Sequence, residues 1–205
     1  MILVFFYGDE PPESRQKLIK DAENIRDKLI RNNKEYDANI VMQAQYLEYM
    51  QSTASKDDKK IHIVAHGNQV QVGDFKAQDL AKFLVVDTDS PILLRRKNIV
   101  KVTIHSCFSA APHPDGVTKR FLESFTRYMA AYLPDVAYMQ FRGSNGESVT
   151  DSRGRNWVID GRYTMSDIRK PRSVEDEDEI NATYMKPRDR ARPKLLISMG
   201  AVMRG

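Results

Sequence analysis

Short apolar runs alternate with helical stripes over the first two thirds of the chain. Residues 2–7 (ILVFFY) form an apolar run of strand length, and the Gly8-Asp9-Glu10-Pro11-Pro12 stretch that follows reads as a turn. Residues 13–31 place Leu18, Ala22, Ile25, Leu29 and Ile30 on one face, which predicts a long amphipathic helix. A second strand is expected at 39–43, a short helix at 46–50 and a third strand at 61–65. Residues 67–75 read as a small hairpin or lid loop. Residues 76–84 repeat apolar positions at Ala77, Leu80, Ala81 and Leu84, the spacing of a helix. A fourth strand is expected at 99–104. A helix follows at 115–133, with Val117, Phe121, Leu122, Phe125, Met129 and Leu133 as its stripe, and a fifth strand at 136–141. Beyond it the pattern changes. Residues 142–163 are rich in Gly, Ser, Asn and Arg and predict short hairpin strands, such as one at 156–159. An acidic run (173–179), a basic run (186–194) and a last strand (194–202) complete the chain.

Strand, helix, strand in succession implies parallel pairs joined by crossovers. The fold class is therefore α/β, with a mostly parallel central sheet of about six strands between helices. One domain is expected over 1–205: an α/β core at 1–141, and a tail at 142–205 that extends the sheet in antiparallel fashion. Parallel strands end on one edge, where ligands bind in open α/β sheets. Two buried strands end there in reactive side chains. The third runs into His66-Gly67, and the fourth into His105-Ser106-Cys107.

Composition narrows the setting. The chain has 205 residues, 41% hydrophobic and 29% charged, as in a soluble globular protein. No apolar run reaches the roughly 18 residues of a membrane span. The apolar start has no basic region before it, so it reads as a strand and not a signal peptide. One cysteine rules out an internal disulfide framework and fits a catalytic thiol. Net charge is +4, too mild by itself to imply nucleic acid, but the cations crowd the last third.

A thiol and an imidazole on one sheet edge are the minimum for nucleophilic acyl chemistry. His66 would take the Cys107 proton and return it to the leaving amine, and the backbone N–H groups of Gly67 and Cys107 would hold the oxyanion. Other readings stand beside this one. Cys107 alone reads as a buried structural cysteine. His105 shares a strand face with Cys107 and is a rival partner. His62 reads as a sheet histidine and His113 as a loop residue. Asp9 is placed to orient His66 or simply to hold its turn. No metal-ligand spacing joins His62, His66, His105 and Cys107, so no metal is expected. The C-terminal cations, including Arg142, Arg153, Arg155, Arg162 and Lys194, read either as a solvated basic surface or as a phosphate site.

The strand into His66-Gly67 and the strand into Cys107 resemble the caspase-like clan of cysteine peptidases. The nearest likeness is to the self-processing cysteine peptidase domain of multifunctional RTX and clostridial glucosylating toxins. Ile63-Val64-Ala65-His66-Gly67, residues 72–81, Val102-Thr103-Ile104-His105-Ser106-Cys107 and Ser148-Val149-Thr150-Asp151-Ser152-Arg153-Gly154-Arg155 match that domain in order, over roughly residues 60–160. Ser106 stands where the toxin domain usually has glycine, and Asn156 where lysine is usual. The resemblance implies a caspase-like three-layer sandwich with a C-terminal β-hairpin flap. It implies a thiol protease of toxin or effector type that cleaves itself autocatalytically, with Cys107 and His66 catalytic and peptide or protein as substrate. It also implies inositol hexakisphosphate as activator, at Arg153, Arg155, Arg142, Arg162 and Lys194. The expected location is the host cytosol after secretion, or otherwise the cytoplasm. Deamidase- or transglutaminase-like acyl transfer, or a non-catalytic phosphate-binding module, are the alternatives on the same fold.

Overall fold

The computed structural model describes residues 1–32, 38–52, 54, 58–85, 99–133, 138–169 and 188–189. The central sheet has the strand order β11-β10-β7-β6-β3-β1-β2. Its strands are β1 (Ile2–Val4), β2 (Ile40–Met42), β3 (Lys60–Val64), β6 (Lys101–His105), β7 (Tyr138–Ser144), β10 (Tyr163–Arg169) and the two-residue β11 (Arg188–Asp189). The first five run parallel to their neighbours; β10 and β11 join antiparallel. Two small hairpins stand outside the sheet, β4 (Gln71–Val72) with β5 (Phe75–Lys76), and β8 (Glu147–Thr150) with β9 (Asn156–Ile159). The expected α/β class, mostly parallel sheet and antiparallel extension are all present. The proposed strand at 194–202 and the acidic run lie outside the described residues, as does most of the basic run.

Strand alternation divides the core into two. Ile2, Val4 and Val64 face helix α1 (Pro12–Asn32) and meet its Leu18, Ala22 and Ile25. Proline at the first position and Glu13 in the first turn suit the start of this helix, and Arg31 suits its end. On the other face, Leu3, Phe5, Ile61, Ile63, Val102 and Ile104 pack against α2 (Tyr46–Gln51), α3 (Ala77–Val85) and α4 (Phe121–Tyr132). The result is three layers, with α1 the one helix among the described residues on its side of the sheet. Past α1, the face formed by β6, β7 and β10 is roofed by the β8–β9 turn.

Two expectations need correction. Helix α4 begins at Phe121, not at residue 115. The Asp115 carboxylate takes the N–H groups of Val117 and Thr118 and the Thr118 hydroxyl, closing a turn that leaves Val117 90% exposed. The antiparallel extension is also longer than the short hairpin strands expected after 142: β10 pairs with β7 along seven residues.

Candidate active site and a basic pocket

Strands β3 and β6 pair directly, with Val64 opposite His105. His66-Gly67 and Ser106-Cys107 therefore leave the sheet side by side on one edge. The approach is tight: a Cβ on Gly67 would lie 2.3 Å from Ser106 Oγ. Ser106 is 1% exposed, and its Oγ has no hydrogen-bond partner among the described residues. The N–H groups of Gly67 and Cys107 donate to no described residue.

His66 is held from α1. Its Nε2 lies 3.0 Å from Ser14 Oγ and 3.3 Å from Glu10 Oε1. The Ser14 hydroxyl donates to Glu10 Oε1 at 2.6 Å, and the Tyr7 N–H donates to Glu10 Oε2 at 3.0 Å. Because the Ser14 proton goes to Glu10, Ser14 Oγ accepts from His66 Nε2–H, which leaves Nδ1 with the lone pair. The carboxylate on His66 thus belongs to buried Glu10. Asp9, its neighbour, is exposed in the turn. Ser14 and Glu10 were not singled out in the sequence, where only the adjacency of Glu10 to Asp9 pointed their way.

Cys107 is half-buried and held from the β8–β9 hairpin. The Ser148 N–H donates to its Sγ at 3.3 Å, and Sγ lies 3.8 Å from the Ser148 carbonyl oxygen. No hydrogen bond joins the thiol to His66. Phe108, the next residue, has φ 54°, a left-handed conformation that L side chains rarely take. Its N–H donates to the Gly146 carbonyl at 2.9 Å.

A pocket of about 170 Å³ opens on the α1 side of the sheet. Lys28 comes from α1, Lys60 and His62 from β3, Lys101, Thr103 and His105 from β6, Arg142 from β7 and Tyr163 from β10. Gly154 and Asn156 close it from the hairpin, and no carboxylate lines it among the described residues. Burial, then neighbouring cations, hold Lys101 below the usual lysine range; Lys28 is lowered by burial too, and by Arg142, Arg155 and Arg31, against the pull of Asp151. The Arg142 guanidinium lies 3.7 Å from the Tyr163 ring centre. Asn156, 5% exposed, donates to the Tyr163 hydroxyl and, at 2.9 Å, to Ser148 Oγ. One side chain thus touches both the pocket and the residue that holds the thiol.

Of the described cations expected at a phosphate site, only Arg142 lines this pocket. Arg155 Nε donates to Asp151 Oδ2 at 2.7 Å, and its guanidinium lies 5.0 Å from the Trp157 ring centre. Arg153 is exposed on the same turn, and its carbonyl accepts from Arg31 Nη2 at 3.0 Å. Burial pushes the Asp151 carboxyl up, but hydrogen bonds from Arg155, Trp157 and Arg153 outweigh it and hold the pKa at about 2. Arg162 gives its N–H to Asn145 and does not line the pocket. Lys194 lies outside the described residues. Among those residues no His, Cys, Asp or Glu cluster is arranged to hold a metal, and no helix is long and apolar enough to cross a membrane.

A separate cleft of about 550 Å³ lies at the carboxyl ends of β1 and β2, lined by Phe6, Met42, Leu47 and Phe83, with Arg15 and Asp74 at its polar side. Asp74 accepts from the Gly8 N–H, and Arg15 donates to the Glu10 and Gly8 carbonyls, so this cleft adjoins the His66 support. No protein-family model matches the sequence, and no curated protein matches it significantly.

Proposed function

We propose that this protein is a cysteine endopeptidase of bacterial toxin or effector type that cleaves itself and is activated by a polyanion such as inositol hexakisphosphate. The observation that carries the reading is the meeting of His66-Gly67 and Cys107 on one sheet edge, with an oriented imidazole and two open backbone donors. The three layers and the hairpin beside Cys107 support a caspase-like sandwich in which β8–β9 is the flap.

In this reading His66 Nδ1 takes the Cys107 proton, and Sγ attacks the peptide carbonyl carbon. The Gly67 and Cys107 N–H groups receive the oxyanion, at about 3 kcal/mol for one such donor. The imidazolium then protonates the leaving amine, and water hydrolyses the thioester. The Ser148 N–H favours the thiolate by donating to sulfur. The cleft at the carboxyl ends of β1 and β2 offers an apolar side-chain site next to the residues that support His66. An anion in the basic pocket would act through Asn156 on Ser148, and so on the thiol.

The test is intact mass and peptide cleavage with and without inositol hexakisphosphate, for wild type, Cys107→Ala and His66→Ala. Cleavage by wild type alone is expected, together with selective alkylation of Cys107. Full activity in His66→Ala would remove the dyad from consideration. One observation favours a second reading, a phosphate-binding module with a silent dyad: the thiol is bonded to Ser148 and not to His66. A rise in melting temperature with the ligand, but no Cys107-dependent product, would select it.

A further inference from the structure

The His62–His105 pair takes no part in peptide cleavage as proposed, yet it forms the floor of the basic pocket. His62 Nδ1 and His105 Nε2 are 2.9 Å apart, and the rings stack with centres 5.2 Å apart at 14°. Such a contact uses one N–H and one lone pair. The pair can accept one further proton on an outer nitrogen and keep the contact; a second would break it.

The surroundings are uniformly unfavourable to that proton. Lys28 faces the pair from α1, the Met1 amino group from the residue before β1, Lys60 from β3, Lys101 from β6 and Arg142 from β7. Tyr163 on β10 adds a hydroxyl. The acids nearby are engaged elsewhere: Asp58 with the Met1 amino group at 2.6 Å, and Asp151 with the hairpin turn. Burial first, and then the Met1 amino group, Lys60, Lys101 and Lys28, push His62 down to about 3.

We propose that a polyanion entering this pocket binds together with one proton, which is taken up by the His62–His105 pair. The proposal rests on the reading of the pocket as an anion site. The bound anion offsets the repulsion from the surrounding cations, so the imidazole pair gains both a favourable charge and an N–H donor. A pocket of lysine and arginine alone would bind a fully ionised anion equally well in weak acid and at neutral pH. By linkage, this one tightens by up to about tenfold per pH unit lowered, between the free and bound pKa values of the pair.

The probe is myo-inositol hexasulfate, because sulfates stay ionised across the range and take up no protons themselves. Calorimetric titration of the full chain is run at about pH 5.5 and about pH 7.5, in buffers of differing ionisation enthalpy. Uptake approaching one proton is expected at the lower pH, with at least about fivefold tighter binding than at the higher. The His62→Gln/His105→Gln variant is expected to bind without proton uptake and without pH dependence. If that variant fails to fold, the wild-type imidazole proton resonances decide: the ligand should raise their titration midpoint by about three pH units, to above about 6. Binding with no buffer dependence and a flat Kd, or an unmoved imidazole titration in the bound protein, overturns the proposal and leaves the anion site standing. No binding at either pH overturns both.

Discussion

Gly67 lies so close to Ser106 that a Cβ on the glycine would stand 2.3 Å from Ser106 Oγ and 2.6 Å from the Gln71 carbonyl oxygen. The first clash can be relieved by the serine and the second cannot, because it is with backbone. Gly67→Ala should therefore destabilise the fold by about 1–3 kcal/mol, the usual range for overpacking. Adding Ser106→Gly should recover only part of the loss. Urea midpoints of the two variants check this; wild-type stability in Gly67→Ala would mean the edge is looser than described.

Ser14 connects Glu10 to His66 by contacts of 2.6 and 3.0 Å. Removing its hydroxyl leaves the imidazole only the longer contact of 3.3 Å to Glu10 Oε1 and loosens its orientation. Ser14→Ala should lose about tenfold or more in the rate of Cys107 alkylation near neutral pH, a modest share of what general base catalysis supplies. Ser14→Thr should retain most of the rate. An unchanged pH profile of alkylation in Ser14→Ala would exclude Ser14 from the orientation of His66.

The two reactive strand ends were legible because each joins a β-branched run to a polar, chemically distinctive stop. Helix α1 and the crossover helix α3 were legible from their periodicity, and strand β9 from the turn-rich composition around it. The basic pocket was not. Its Lys28, Lys60 and Lys101 come singly from three elements, and each alone reads as a solvated charge; Arg142 alone of its cations was expected at a phosphate site. The cations that do cluster in sequence, Arg153 and Arg155, sit on a turn organised by Asp151. Nor does the sequence distinguish Asp9 from Glu10 as the support for His66: the two acids are adjacent, and only the turn geometry decides which one is buried.

Phe108 holds its left-handed φ at a cost of about 1 kcal/mol or more. Asparagine tolerates this region better. Phe108→Asn should raise the unfolding free energy by about 1 kcal/mol in chemical denaturation. A fall of the same size would show that the ring's packing outweighs the backbone strain.

The stability of the fold should fall in weak acid. His62 stays neutral in the folded chain down to about 3, whereas in the unfolded chain it takes a proton near ~6.5. The unfolded state therefore binds more protons between those values. The stability present above about 6.5 is lost as pH falls toward the folded value, at up to about 1.4 kcal/mol per pH unit. Urea unfolding at several pH values measures the slope. His62→Gln should flatten it, and an equal slope in that variant would assign the acid sensitivity to other groups.

Helix α1 carries Ser14 in its first turns, against the imidazole, and Lys28 near its other end, in the basic pocket. Fourteen residues of helix separate them, about 21 Å of stiff rod. Gly154 fixes the hairpin turn to that rod near Lys28, since a Cβ there would lie 1.9 Å from the Asn24 carbonyl oxygen. A rod so placed would act as a lever with its load at Lys28 and its tip at His66. A tilt of a few degrees made at the pocket end would displace Ser14 by about an ångström, without any side chain between the two ends having to change its rotamer.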